Sequence, residues 1–201
     1  MMNDALKKSI SDKSGAKYVL GKEVKYSASM TRTEMLDQLE HVIDGIEEDQ
    51  LRKSLREYLS RKSTFLGAPS SGGYHHAYEN GNLEHTLEVV KICLKLADEA
   101  QIPINNDVLI AGAILHDIGK EQCYEIKETK IEDTQAGKLV EHISLGIQIA
   151  GKWIESKYID KIIHVIASHH NLKEWGSPVQ PQTAEAWIVH LADMFSAKLL
   201  G

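Results

Sequence analysis

Cysteine is scarce in this chain of 201 residues, and the two cysteines present, Cys93 and Cys123, lack the spacing of a metal knuckle. Two cysteines cannot build a disulfide framework, so we expect a reducing compartment. No apolar run approaches the roughly 20 residues that span a bilayer. The first residues also lack the apolar core of a signal peptide. These absences predict a cytoplasmic protein without a membrane segment.

An excess of positive charge is missing as well. The chain has 23 Lys and Arg against 29 Asp and Glu, for a net charge of -6. A protein that holds nucleic acid by bulk charge needs clustered Lys and Arg, so this class is disfavoured, although a local basic patch is left open. With 42% hydrophobic and 26% charged residues, the composition suits one domain with a sizeable core.

Apolar residues recur at helical spacing along most of the chain. Residues 1–30 form a polar lead-in, and the pattern begins at Thr31, an N-cap candidate with Glu34 three positions on. Further helices are expected at about 51–59, 82–101, 105–116, 138–157, 159–170 and 183–200, with Asn82 and Asn105 or Asn106 as caps. Strand alternation is weak and confined to residues 122–132, so the fold is predicted to be mostly helical.

One long loop, 65–82, interrupts the helices with the sequence FLGAPSSGGYHHAYENGN. A loop of this length, rich in Gly, Ser, Pro and Asn, is a candidate for function. It carries His75 and His76, which could face a substrate or simply be exposed to solvent. Trp175, in the later EWGSP segment, could stack on a base or anchor its own turn.

Residues 108–115, VLIAGAIL, are apolar on every side, which predicts a helix buried at the centre of the fold. The helix runs directly into His116 and Asp117. Unpaired carbonyls and the negative end of the helix dipole favour a cation at this end, so the pair could bind a metal. The alternative is a helix whose last turn becomes polar, with Gly119 as a C-terminal cap at positive φ.

Other histidines and aspartates of the chain could join this pair at a metal. They stand near helix ends or on the core side of a helix: His85, His142, His169, His170 and Asp193. Singly, each has an ordinary alternative as a core residue, a cap or a solvated helix end. Together they suit Zn, Mn, Fe, Co or Ni, and an aspartate can bridge two such ions. Because the set has no thiols, a structural zinc site is not expected.

The ordered set resembles the HD superfamily of metal-dependent phosphohydrolases over about residues 65–200. Four segments, GYHHAYENGNLEHTLEVV, AGAILHDIGK, LVEHISLGI and SHHNLKEWGSPVQP, are similar to the HD domain of the YhaM-type 3′-to-5′ exoribonucleases. The resemblance implies an all-α HD bundle with a metal site at its centre. This domain would cover 31–201, with 31–62 as preceding helices.

The longer histidine pattern resembles the binuclear branch of that superfamily, which implies two divalent transition metals bridged by Asp117. The resemblance assigns His85, His116 and Asp193 to one metal and His142 and His169 to the other. In a related branch with HD-x-x-K, the lysine contacts substrate phosphate, and Lys120 has that position here. His170 could be catalytic, face the substrate or hold an extra metal, but Gly81 stands where some relatives place a glutamate for that metal.

The resemblance implies hydrolysis of a phosphate ester in a nucleotide or short single-stranded RNA or DNA. Two cations can stabilise the charged phosphoryl oxygens and acidify the attacking water. Lys120 would hold a nonbridging oxygen, and His75 or His76 could protonate the leaving oxygen. YhaM-type enzymes carry an OB fold before the HD domain, and the region ahead of Thr31 is too short for such a barrel. Processive action on long RNA is therefore not expected.

Two other function classes stay open. One is a metal-bearing nucleotide-binding or regulatory module with little turnover, which the acidic balance and the missing OB fold favour. The other is a di-iron oxygenase, because one oxygenase family shares the HD fold and the longer histidine set. A homo-oligomer is also left open.

Overall fold

The computed structural model describes residues 30–61, 68–70, 76–127 and 130–200. The predicted polar lead-in, apart from its last residue, therefore lies outside the described residues, and so does His75.

The described residues form a bundle of helices and a single small β-hairpin. In chain order the elements are α1 (Arg32–Asp44), α2 (Asp49–Arg61), α3 (Gly81–Glu99), α4 (Asn106–Leu115), α5 (Lys120–Cys123), β1 (Tyr124–Lys127), β2 (Lys130–Asp133), α6 (Gln135–Val140), α7 (His142–Trp153), α8 (Ile159–Ser168) and α9 (Ala184–Phe195). A 3₁₀ turn covers Lys173–Trp175, and a π turn covers Ser196–Leu200. The strands pair antiparallel, with Tyr124 opposite Asp133. The expected all-α fold is confirmed, and no helix in these ranges is long and apolar enough to cross a membrane.

The first helix begins as its sequence predicts. The Thr31 amide donates to Glu34 at 2.8 Å, and the Glu34 amide donates to the Thr31 hydroxyl at 3.3 Å, which completes a capping box. The turn from α1 to α2 is held by a residue that is distant in sequence. Buried Asp107, at the start of α4, accepts hydrogen bonds from the Glu47 and Glu48 amides at 2.7 and 3.0 Å. This carboxylate ties the first helical pair to the central helix.

The apolar helix α4 lies at the centre of the bundle, as predicted. Its residues 107–115 are all buried, and it packs against α3, α8 and α9. Asn105 is the N-cap, because its side chain accepts a hydrogen bond from the Val108 amide at 3.1 Å. The end of this helix, where His116 and Asp117 stand, is therefore enclosed by three neighbouring helices.

Two predicted helix boundaries are wrong. Helix α3 begins after Asn80, which has φ 66° and makes no side-chain capping hydrogen bond, and the expected cap Asn82 is a buried residue of the first turn. The single helix expected over 138–157 is two helices, α6 and α7, because Glu141 takes φ 62° between them. A residue in the left-handed region ends one helix and lets the next begin in a new direction. This break brings His142 to the first position of α7.

Candidate metal centre

The structure brings all six predicted metal ligands together at the centre of the bundle. They come from α3 (His85), the end of α4 (His116 and Asp117), the start of α7 (His142), the end of α8 (His169) and α9 (Asp193). All are buried except His142, whose side chain is 19% exposed. Helices far apart in sequence thus converge on one small polar cluster inside an apolar core.

Asp117 lies at the middle of this cluster, and its two oxygens face different partners. Oδ2 is 3.5 Å from His85 Nε2 and 3.3 Å from His116 Nε2. Oδ1 is 3.7 Å from His142 Nε2 and 3.6 Å from His169 Nε2. One carboxylate is therefore shared by two pairs of imidazoles.

The carboxylate of Asp193 adds to the first pair. Its Oδ1 lies 3.2 Å from His85 Nε2 and 4.0 Å from His116 Nε2. The first group of donors therefore holds two imidazoles and two carboxylates, whereas the second holds two imidazoles and Asp117.

The geometry and chemistry of this cluster fit divalent transition metals. Ligand atoms that each lie roughly 2.0–2.2 Å from one ion stand about 3.0–4.2 Å apart, and the measured separations from Asp117 and Asp193 to the imidazoles fall within that span. Asp117 Oδ1, His142 Nε2 and His169 Nε2 are buried and have no hydrogen-bond partner among the described residues. Buried polar atoms are rarely left unpaired, and a shared cation would satisfy all three.

The helix ends explain how two of the imidazoles are aimed. His116 Nδ1 donates to the Ala113 carbonyl and His169 Nδ1 donates to the Ile166 carbonyl, both at 2.8 Å. Both carbonyls belong to the last turn of a helix, where the backbone has no intrahelical donors left to satisfy them. Because Nδ1 carries the proton, Nε2 presents its lone pair to the cluster. The position of these two histidines at helix ends therefore fixes the tautomer that a metal ligand needs.

Gly119 has a different role from the predicted cap. Its φ is -65°, so the prediction of a C-terminal cap at positive φ is wrong. A Cβ at this position would lie 1.9 Å from the His142 carbonyl oxygen and 2.6 Å from the Gly146 amide nitrogen. Glycine is needed because the first turn of α7 packs directly on the chain here. That close approach brings His142 to Asp117.

The surroundings of Asp117 and His142 favour the protonation states that a metal requires, whereas nearby carboxylates outweigh burial and raise the pKa of His116. Burial raises the pKa of Asp117, but Lys120 and His116 outweigh this effect and hold it well below its usual range. Lys120 is itself buried, with Nζ 2.5 Å from Asp117 Oδ2. Burial lowers the pKa of His142 well below its ordinary value. An ionised carboxylate and a neutral imidazole are the forms that bind metals.

His170 and Trp175 lie at the edge of the centre. The His170 ring is 4.3 Å from the His169 ring and 5.0 Å from the His142 ring, centre to centre. Its Nδ1 donates to the Trp175 carbonyl at 2.6 Å, and burial lowers the pKa of His170 to about 4. Trp175 is 51% exposed, so its ring is accessible to a ligand. Its main chain, at the same time, fixes His170.

His76 is buried, in contrast to an ordinary solvent-exposed loop histidine. Its Nε2 lies 3.3 Å from Glu88 Oε2, and its ring lies 5.4 Å from the His85 ring. Ser196 contacts Glu88, and neither residue was predicted from the sequence to belong to the site. Both follow a candidate ligand by three residues, His85 and Asp193 respectively, and this helical spacing is the signal that could have identified them.

A mostly helical bundle with a central cluster of histidines and aspartates that could hold a divalent metal has the architecture expected of an HD domain. The model of the HD domain family matches residues 82–198, which include all six candidate ligands. The chain belongs to the HD domain family, and the resemblance seen in its sequence is confirmed.

Curated relatives extend the similarity beyond that domain. A dihydroneopterin 2′,3′-cyclic phosphate phosphodiesterase of Methanocaldococcus jannaschii is 34% identical over 179 residues, which cover 82% of this chain and 70% of the relative. A 3′-5′ exoribonuclease YhaM of Listeria innocua is 31% identical over 189 residues, 90% of this chain and 59% of the relative. A YhaM of Halalkalibacterium halodurans is 32% identical over 86% of this chain and 55% of its own length. The chain thus spans little more than half of these exoribonucleases, and no solved structure matches it.

Proposed function

We propose that this protein is a metal-dependent phosphodiesterase that hydrolyses a nucleotide, cyclic nucleotide or short oligonucleotide. The observation that carries the proposal is the division of the Asp117 oxygens between two groups of donors. Its relatives support the reaction type, because cyclic phosphate phosphodiesterase and 3′-5′ exoribonuclease are both names for enzymes that cleave a phosphodiester bond.

We assign two metal ions to the centre. His85, His116 and Asp193 would hold the first, His142 and His169 the second, and Asp117 both. When bound, two such ions supply Lewis acidity toward the phosphate and toward the attacking water. The short distance from Lys120 Nζ to Asp117 places an ammonium group beside the centre. Lys120 is therefore the residue proposed to bind a nonbridging phosphate oxygen.

The protonation of His170 limits its part in the reaction. A carbonyl can only accept, so the hydrogen bond to Trp175 places the proton on Nδ1 and leaves the Nε2 lone pair as an acceptor. With a pKa of about 4 the ring is neutral at pH 7. His170 can therefore orient water through Nε2, and the same low pKa makes it a weak base and leaves little imidazolium to protonate a leaving oxygen.

The charge around the centre favours a substrate with few phosphates over long RNA. A surface pocket reaches the partly exposed His142 and is lined by Cys123, Tyr124, Asp133, Gly137, Glu141 and His142. The carboxylates of Asp133 and Glu141 repel additional phosphates on this side. This acidic wall and the net charge of -6 both favour a substrate with few phosphates.

The reaction is tested with metal-loaded protein, 2′,3′-cyclic nucleotides and short single-stranded RNA. We expect cleavage by the wild type, a loss of more than 100-fold in D117A, and full activity in D160A, a control that removes an exposed aspartate of α8. Nucleotide binding without turnover in the presence of every metal would favour a regulatory module. A product that forms only with iron and oxygen would favour the oxygenase.

The number of metals is tested by elemental analysis of purified variants. We expect about two ions in the wild type and about one in H142A, with a steep fall in rate. The matched control is H41A, which removes an exposed histidine of α1 and should change neither value. Full metal content and rate in H142A would contradict a binuclear centre.

The cytoplasmic location and a homo-oligomeric state are proposals of the same kind. Cys93 and Cys123 are free and buried, as expected in a reducing compartment. Fractionation of cells measures the location, and light scattering of the purified chain measures the oligomeric state.

A further inference from the structure

His85 is held differently from the other buried imidazoles of the centre. His116 and His169 donate to carbonyls at the ends of their own helices, whereas His85 lies within the first turns of α3. Its Nδ1 is 2.8 Å from the hydroxyl oxygen of Ser196, which follows α9. Both side chains are fully buried, so water does not compete for this contact.

Ser196 also contacts the carboxylate of Glu88. Ser196 Oγ donates to Glu88 Oε2 at 2.6 Å. An ionised carboxylate can only accept, and a hydroxyl has one proton. Because that proton is committed to Glu88, the Ser196 oxygen must accept from His85. The proton of His85 is thereby fixed on Nδ1, and its Nε2 lone pair faces Asp117 and Asp193.

Glu88 also holds the segment that precedes α3. Its Oε2 lies 3.3 Å from His76 Nε2, and His76 has φ 46°. A residue other than glycine rarely takes this left-handed conformation unless its surroundings hold it there. Glu88 therefore contacts both Ser196 and the buried His76. We call the chain of contacts from His85 through Ser196 to Glu88 the relay.

We propose that Ser196 and Glu88 are positioning residues that fix the tautomer and orientation of His85 for the first metal. This inference rests on the proposed metal centre, though not on its substrate. A carboxylate linked to a ligating histidine orients the ring and makes it a stronger donor, and loss of such partners weakens metal binding by about 10–100-fold. The relay touches neither His142 nor His169, so its loss should affect one of the two ions only.

Metal binding is measured by calorimetry with Mn²⁺ alone, so the result does not depend on whether phosphodiester cleavage is found. We expect S196A and E88A to lose about 10–100-fold in affinity for one ion and to keep the other within twofold. E88Q keeps an acceptor for Ser196 and loses the charge, so it should lie between E88A and the wild type. The control E99Q removes an exposed carboxylate from the same helix and should bind both ions normally.

The tautomer of His85 gives a second measurement, by ¹⁵N NMR of the metal-free protein. The wild type should show the proton on Nδ1, and S196A should move it toward Nε2. E88Q and S196A change few atoms, and their melting temperatures verify that they are folded. The proposal is overturned if folded S196A and E88A keep both affinities within twofold and the tautomer of the wild type. Failure of the wild type to cleave phosphodiesters would instead overturn the proposed function.

Discussion

A substitution at Gly119 provides a direct test of how the centre is assembled. In G119A the new Cβ would lie 1.9 Å from the His142 carbonyl oxygen, whereas ordinary contacts begin at 3.4 Å. The other close atoms are also backbone atoms of α7, so no side chain can rotate away. The start of α7 must therefore move by about 1.5 Å along this contact.

The expected effect on stability follows from this overlap. Overpacking of a well-packed interior costs about 1–3 kcal/mol. For a domain of this size each kcal/mol lowers the melting temperature by about 2–4 °C, so G119A should melt about 2–12 °C below the wild type. His142 moves with the helix. Its Nε2 is 3.7 Å from Asp117 Oδ1, and a further 1.5 Å would exceed the roughly 4.2 Å that one shared ion can bridge.

Gly151 provides the matched control, because it lies within α7, the helix that G119A should displace. A Cβ there would meet only Ile163 Cδ1, at 4.0 Å, which is an ordinary contact. Replacing a helical glycine by alanine gains up to about 1 kcal/mol, so G151A should melt at or above the wild-type temperature.

Thermal melting followed by circular dichroism measures the stability of both variants, and elemental analysis measures their metal content. We expect G119A to lose stability and one ion, and G151A to lose neither. If G119A melted with the wild type and kept its metal, the close packing of α7 on residue 119 would be refuted.

Three further outcomes are expected. D107A should lose about 1–2 kcal/mol in urea unfolding, because the Glu47 and Glu48 amides lose their acceptor; an unchanged free energy would contradict this role. His164 Nε2 accepts from the Gln182 amide, and burial lowers the pKa of His164. The unfolded chain therefore takes up the proton first, so this contribution to stability is present above pH of about 6.5 and is lost as the pH falls below it. A melting series from pH 5 to 8 should be flatter in H164Q, and an equal slope would exclude the effect. A chelator should lower the melting temperature and Mn²⁺ should restore it, since an ion that binds only the folded state stabilises it; identical curves would argue against a bound metal.

The sequence predicted the helices well where the local signal and the final packing agree. The capping box at Thr31 and the cap at Asn105 are formed by residues within four positions of each other, so their chemistry is visible in the chain. The break at Glu141 was not visible. This residue takes φ 62° without being glycine or asparagine, and no residue pattern around it marks the end of a helix.

The residues of the centre could be predicted from the sequence, but the contacts that bring them together could not. Gly119 was singled out correctly, yet for the wrong reason, because a glycine after a helix end has the pattern of a cap. Its real partner is the backbone of His142, which is distant in sequence and is brought close only by packing of α7. Local sequence can thus mark a position as special without showing which contact makes it so.

The opposite holds for the imidazoles, whose local positions explain how the centre is held. His116 and His169 each directly follow a helix and donate to a carbonyl three residues back, so the helix end itself selects the tautomer that leaves Nε2 for a metal. His85 lies within a helix, and its Nδ1 instead contacts Ser196, whose hydroxyl donates to Glu88. A histidine at the C-terminal end of a helix can therefore find its orienting partner among the residues just before it. For a ligand in the interior of a helix, that partner comes partly from another helix, and only the fold identifies it.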